Sequence, residues 1–113
     1  MDIFSEPIVP EVSCQDVKSE LDQKKPVILL DVRTPGEFAR GRIAGSINIP
    51  IDRIECDIEQ TVPDKSATIY VYCLSGSRSV HAVHALIKLG YTQVFNVKQG
   101  LLAWRAYYFP VVS

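Results

Sequence analysis

The stretch TIYVYCLSGSRS, residues 68–79, decides the fold of this chain. Residues 68–72 are all β-branched or aromatic and predict a strand, while the segment that follows the stretch has helical periodicity. Cys73 therefore lies at the carboxyl end of a strand and just before the first turn of a helix. Free backbone N–H groups of such a loop and helix start favour negative charge. We expect them to stabilise the Cys73 thiolate.

Length and composition favour one domain over residues 1–113, with a hydrophobic core of its own. The net charge of −1 and the pI near 6.1 give no global attraction for nucleic acid or for an anionic membrane. The chain opens without a leader pattern and has no apolar run long enough to span a membrane. We therefore expect a cytoplasmic protein with no nucleic-acid partner and no membrane partner.

The cysteine pattern excludes two common roles. Cys14, Cys56 and Cys73 are odd in number, and their spacing is unlike that of a zinc site. The pattern indicates neither a disulfide framework nor a metal site, and it is typical of a reducing compartment. Cys14 and Cys56 are interpreted as structural, although the position of Cys14 at a helix start favours mild acidity.

Short apolar runs alternate with segments of helical periodicity along the chain. Strands are predicted at residues 8–10, 27–30, 47–50, 68–72 and 94–97. The expected ends of the helices are marked by the N-cap Ser13, the Thr34 to Glu37 capping box with Gly41, the stop at Gly90, and the start at Gly100. Residues 51–60 are ambiguous, with a helical turn around Ile54 and Ile58 as one interpretation. The alternation predicts a three-layer α/β/α fold with a mostly parallel sheet.

Helical periodicity also predicts which side chains face the core. On the helix after the cysteine loop, the core side is expected to hold Val80, Val83, Leu86, Ile87 and Leu89. His81, His84 and Lys88 share the opposite side, interpreted as a solvated face because no third metal ligand is evident. On the last helix, Leu101, Trp104 and Tyr108 are expected to anchor the core.

Four motifs in order carry a family resemblance. They are DVR at 31–33 with Glu37-Phe38, GRIAGSINIP at 41–50, CLSGSRS at 73–79 and GLLAW at 100–104. Together they resemble the rhodanese family of sulfurtransferases over essentially the whole chain. The resemblance implies a single rhodanese domain with a five-stranded parallel sheet and a persulfide formed on Cys73. The chain departs from the family pattern at Arg42, where histidine is usual, and at Gln99, where the first of two glycines is common.

The chemistry expected of the loop follows from thiol reactivity. A free thiol is only about 3% ionised at pH 7, and the thiolate is the form that attacks a sulfane sulfur. Small residues allow the loop amides to converge on the sulfur, and Arg78 adds a positive charge. The candidate site is Cys73 as nucleophile with Leu74, Ser75, Gly76, Ser77 and Arg78 as substrate-binding residues. We expect no cofactor and no metal.

The predicted reaction moves a sulfane sulfur from thiosulfate or a related donor to cyanide or a thiol, with a protein acceptor as an alternative. A second interpretation is a persulfide carrier or a binding module that does not turn over free thiosulfate. A cysteine-dependent phosphatase is a third, but such enzymes place five residues between cysteine and arginine, whereas four separate Cys73 from Arg78 here. Asp31 and Arg33 are expected to fasten loops rather than to catalyse.

Overall fold

The computed structural model describes residues 7–113, which form a five-stranded sheet with helices packed on both faces. The elements in chain order are β1 (Glu11–Val12), α1 (Cys14–Asp22), β2 (Val27–Asp31), α2 (Pro35–Arg40), β3 (Ile47–Asn48), α3 (Ile54–Thr61), β4 (Thr68–Tyr72), α4 (Ser77–Lys88), β5 (Gln93–Val97) and α5 (Gly100–Ala106). A 3₁₀ turn, Ile51–Arg53, leads into α3. Among these helices, none is both long and apolar enough to cross a membrane.

The strand order is β1-β5-β4-β2-β3, and the four ladders between these strands are parallel. The predicted α/β/α fold with a five-stranded parallel sheet is therefore confirmed. β4 lies in the middle of the sheet, between β2 and β5. Because parallel strands end at the same edge, the loop after β4 is surrounded by the segments that follow its neighbours.

The side chains of β4 alternate between two halves of the core. Ile69 and Val71 pack under α3 and α4, whereas Tyr70 and Tyr72 pack with α1 and α5. This is the period of two that a strand buried on both faces requires. Cys73 continues the alternation and joins the half of the core under α4.

The predicted helix starts are confirmed. Ser13 caps α1 by accepting from the backbone N–H of Asp16 at 3.0 Å. Thr34 and Glu37 form the predicted capping box at the start of α2. Local side-chain chemistry therefore sets both starts, since each cap satisfies amides that a helix leaves unpaired.

The predicted edge strands were partly wrong. Ile8 is fully exposed, and the first strand is Glu11–Val12 rather than residues 8–10. Pro10 lacks an N–H group, so only its carbonyl pairs with the sheet, accepting from Asn96 N at 2.8 Å. β3 is limited to Ile47–Asn48 within the predicted 47–50. The ambiguous segment 51–60 is helical, with Ile54 and Ile58 buried.

Two predicted core residues are exposed. Ile87 is 42% exposed because the buried side of α4 is centred on Ala82, Val83 and Leu86. Tyr108 is 94% exposed because α5 ends at Ala106 and the chain then turns away with a left-handed φ of 57° at Tyr108. Phe109 packs there instead, edge-on against Trp104 with ring centroids 5.0 Å apart.

Candidate active site

The loop between β4 and α4 folds back on the cysteine that precedes it. Gly76 is the N-cap of α4 and has a left-handed φ of 98°. A methyl group at Gly76 would lie 3.2 Å from the backbone nitrogen of Gln99, so both conformation and space favour glycine here. This reversal brings the first turn of α4 over Cys73.

Two backbone N–H groups point at the cysteine sulfur. Gly76 N lies 3.2 Å and Ser79 N 3.4 Å from Cys73 Sγ, and both donate to it. The Cys73 side chain is buried, with 1% of the residue exposed, so water does not compete strongly with these donors. Hydrogen bonds from amides to sulfur favour the charged thiolate over the neutral thiol.

A buried polar chain that the sequence analysis did not identify runs from the sulfur toward the sheet edge. Ser79 Oγ lies 3.4 Å from Cys73 Sγ and donates to Asn96 Oδ1. Asn96 Nδ2 in turn donates to Glu11 Oε2 at 3.2 Å. Ser79 and Asn96 are almost completely buried, so this chain fixes the hydroxyl beside the sulfur. An asparagine inside the apolar run VFNV was the available sequence signal.

Arg78 is oriented toward α2 rather than toward the sulfur. Its Nη1 and Nη2 donate to the two carboxylate oxygens of Glu37, at 2.8 and 3.0 Å. These hydrogen bonds are the main reason that the pKa of Arg78 is raised, and the negative charge of Glu37 adds to the effect. Arg78 is therefore a fixed charge that holds α2 against the loop.

The same ion pair controls the titration of Glu37. Hydrogen bonds from Arg78 lower its pKa to about 2 from an ordinary value of 4.5, and Thr34 contributes further. The folded state therefore binds fewer protons than the unfolded state between these two values. The stabilisation is fully present above about pH 4.5 and is lost as the pH falls through about 2.

The amino terminus of α5 fixes the other side of the loop. Leu101 N donates to Cys73 O and Leu102 N to Leu74 O, both at 2.9 Å. A methyl group at Gly100 would lie only 2.4 Å from Cys73 O, so the two backbones meet directly at this glycine. Gln99, one of the two family departures, has a left-handed φ of 60°. That conformation is one in which glycine is easier to accommodate than glutamine.

The remaining predicted site residues lie at the surface of the loop. Leu74, Ser75 and Ser77 are exposed, whereas Cys73 itself is buried. Asp31 and Arg33 form a buried ion pair, and Arg33 Nη2 also donates to Gly41 O at 2.6 Å. Their predicted role in fastening loops is confirmed.

The other two cysteines and the two histidines take no part in the hydrogen bonds to Cys73 Sγ. Burial raises the pKa of the Cys14 thiol, contrary to the mild acidity expected at a helix start. Cys56 is exposed on α3, and the structural role expected of it stays a prediction. His81 and His84 are exposed on α4, as predicted.

Comparisons with known proteins show the family of this chain. The family model described as Rhodanese-like domain matches residues 13–107. A sulfurtransferase of Allochromatium vinosum is 31% identical over 94% of this chain and 97% of its own length. The thiosulfate sulfurtransferase PspE of Escherichia coli is 40% identical over 59% of this chain, which corresponds to 64% of PspE.

A solved structure with the same fold is that of a rhodanese-related protein from Thermoplasma volcanium. It superposes with a TM-score of 0.80 at 31% identity and covers 92% of this chain and 98% of its own. Fold and sequence similarity thus agree over nearly the whole described chain. This protein belongs to the rhodanese-like sulfurtransferase family.

Proposed function

We propose that this protein transfers a sulfane sulfur from thiosulfate or a related donor to cyanide or a thiol through a persulfide on Cys73. The observation that carries the proposal is the pair of backbone N–H groups, from Gly76 and Ser79, that donate to Cys73 Sγ. Such donors favour the thiolate before the reaction and hold negative charge on the sulfur during it. Similarity to sulfurtransferases supports the reaction class.

The reaction has two steps. In the first, the Cys73 thiolate attacks the outer sulfur of thiosulfate, a new S–S bond forms, and the S–S bond of thiosulfate breaks. Sulfite leaves with the electron pair, so no general acid and no cofactor are required. In the second, cyanide or an acceptor thiolate attacks the outer sulfur, and Cys73 leaves again as a thiolate.

The loop size supports sulfur rather than phosphate as the group transferred. Four residues separate Cys73 from Arg78, and Arg78 already uses both ends of its guanidinium on Glu37. A ring that is one residue shorter than that of the cysteine-dependent phosphatases suits a single sulfur better than a tetrahedral phosphate. A phosphatase assay run beside the sulfur-transfer assay is expected to show no turnover.

The test is to incubate the protein with thiosulfate and measure its intact mass. One added sulfur atom, about 32 Da, is expected on the wild type and on Cys56→Ser, and none on Cys73→Ser. Cys56 is a matched control because it is the exposed cysteine, remote from the loop amides. Thiocyanate formation from cyanide should follow the same pattern among the three proteins. Loading that persists in Cys73→Ser would contradict the proposal.

The second candidate is a persulfide carrier that discharges to a protein thiol. The observation in its favour is similarity to a Bacillus subtilis protein described as a putative sulfur carrier, which is 31% identical over 85% of this chain and 51% of its own length. A persulfide that forms but is removed by a protein thiol and not by cyanide would favour the carrier. A reducing cytoplasm suits either reaction, because it keeps the acceptor thiols and Cys73 unoxidised.

A further inference from the structure

Three arginines lie on α2, just after it and on α5, and Arg40 Nη1 is 3.5 Å from the point where a methyl group at Gly36 would stand. Arg40 and Arg42 flank Gly41 in the chain, and Arg105 Nη2 lies 2.8 Å from the point where a methyl group at Gly41 would stand. Arg42 is held in place by Phe38, with its guanidinium carbon 4.7 Å from the ring centroid. We call Arg40, Arg42 and Arg105 the arginine patch.

The arginine patch lacks counterions within the described chain. In residues 7–113, none of its three guanidinium groups lies within 4.0 Å of a carboxylate. The two neighbouring arginines differ, because Arg33 pairs with Asp31 and Arg78 pairs with Glu37. The chain as a whole has a net charge of −1, so the positive patch is a local feature that overall composition does not account for.

The arginine patch is connected through α5 to the cysteine loop. Leu102 N donates to Leu74 O, which joins α5 to the residue next to Cys73. Arg105 follows Leu102 by three residues on α5, so the two side chains lie on the same side of the helix. Leu74 is 37% and Leu102 is 53% exposed. Exposed apolar side chains near the cysteine loop, together with cations that have no carboxylate partner, resemble the core and rim of a protein interface.

We propose that Leu74, Leu102 and the arginine patch dock an acidic protein that accepts the sulfur from Cys73. This inference rests on the proposed persulfide. The acceptor thiolate attacks the outer sulfur, its S–S bond forms as the bond to Cys73 Sγ breaks, and Cys73 leaves as a thiolate. The proton of the acceptor thiol passes to solvent. Because Cys73 is only 1% exposed, the acceptor thiol must be presented on an extended segment.

The experiment measures discharge of the Cys73 persulfide, loaded with thiosulfate or polysulfide, to two synthetic peptides. Each peptide has one cysteine in an extended sequence, flanked in one case by glutamates and in the other by glutamines. The patch variant carries Arg40→Gln and Arg105→Gln, whose side chains are exposed. The matched control carries Arg53→Gln and Lys88→Gln, which remove the same charge from exposed positions on the α3–α4 side.

At low salt, the wild type is expected to discharge to the acidic peptide about tenfold faster than to the neutral one. The patch variant should lose most of this ratio, the control should keep it within about twofold, and high salt should abolish it. An equal rate for both peptides in the wild type, or an equal loss in the control, would overturn the docking surface.

A patch variant that slows loading by thiosulfate, but keeps the peptide ratio, would also overturn it. That result would assign the arginines to the small donor instead of a protein. Failure of the proposed function looks different, because no persulfide would then form with either sulfur source. A persulfide that forms and reacts with cyanide, but shows no preference between peptides, refutes the docking surface alone.

Discussion

The direct contact between α5 and the cysteine loop makes Gly100 the most informative position for mutation. In Gly100→Ala, the new methyl group would lie 2.4 Å from Cys73 O and 2.9 Å from Leu74 O. Relief of this overlap requires the two backbones to separate by about 1 Å, since ordinary contacts are ~3.5 Å. That movement would stretch the 2.9 Å hydrogen bonds from Leu101 N and Leu102 N beyond useful length.

The expected loss of stability is the sum of the lost hydrogen bonds and the backbone strain. Two lost hydrogen bonds contribute about 1 kcal/mol each. Alanine also meets the left-handed φ of 51° at this position, which costs about 1–2 kcal/mol. We expect Gly100→Ala to lower the free energy of unfolding by about 3–4 kcal/mol. Because the loop moves by about 1 Å, we also expect sulfur loading of Cys73 to slow by about a hundredfold.

Gly45→Ala is the matched control. Gly45 has a left-handed φ of 83°, but a methyl group there would have no atom within 4 Å. We therefore expect Gly45→Ala to lower the free energy of unfolding only by the cost of the left-handed conformation, about 1–2 kcal/mol. Sulfur loading should not change. Urea unfolding gives the two free energies, and mass spectrometry against time gives the two loading rates. Equal stability losses together with equal loading rates would refute the claim that contact with α5 shapes the loop.

Three further changes test separate interactions. Glu37→Gln keeps the α2 cap but removes the charge bound by Arg78. Because solvent screens this partly exposed pair, urea unfolding at pH 7 should show a loss of about 1 kcal/mol in the free energy of unfolding. The variant should also lose less stability than the wild type as the pH falls from 4.5 to 2. Ser79→Ala leaves buried Asn96 without its hydroxyl donor and should cost about 1–3 kcal/mol in the same measurement, whereas exposed Ser75→Ala should stay within about 0.5 kcal/mol. Gln99→Gly relieves a left-handed backbone and should raise the free energy of unfolding by about 1 kcal/mol, so a lower melting temperature would contradict this interpretation.

Sequence reasoning succeeded where neighbouring residues decide the outcome. The caps at Ser13 and Thr34, and the strand that ends before Cys73, each depend on a few adjacent side chains. It failed at the margins of helices, because the exposure of Ile87 depends on how α4 is rotated against the sheet. The prediction that Tyr108 anchors the core was wrong because α5 ends earlier than its periodicity indicated.

The parts of the site that the sequence did not reveal are assembled by topology. Glu11 reaches Asn96 only because β1 pairs with β5, and these residues are 85 positions apart. The approach of Arg105 to Gly41 likewise joins α5 to the end of α2. The orientation of Arg78 depends on its ion pair with Glu37. The sequence indicated that Glu37 caps α2, but it did not indicate that Glu37 also binds Arg78. Such contacts follow from the packed fold and leave no local pattern.

The hydrogen bonds from α5 to the cysteine loop also bear on the order of synthesis. Ribosomes add residues 73–79 well before Leu101 and Leu102, whose amides hold the loop carbonyls. Since a domain of parallel strands completes its long-range pairing late, a nascent chain that ends before Gly100 carries the cysteine without this support. Competence for sulfur loading should therefore arise only after α5 has left the exit tunnel, so that translation itself delays the reaction until the protein is folded.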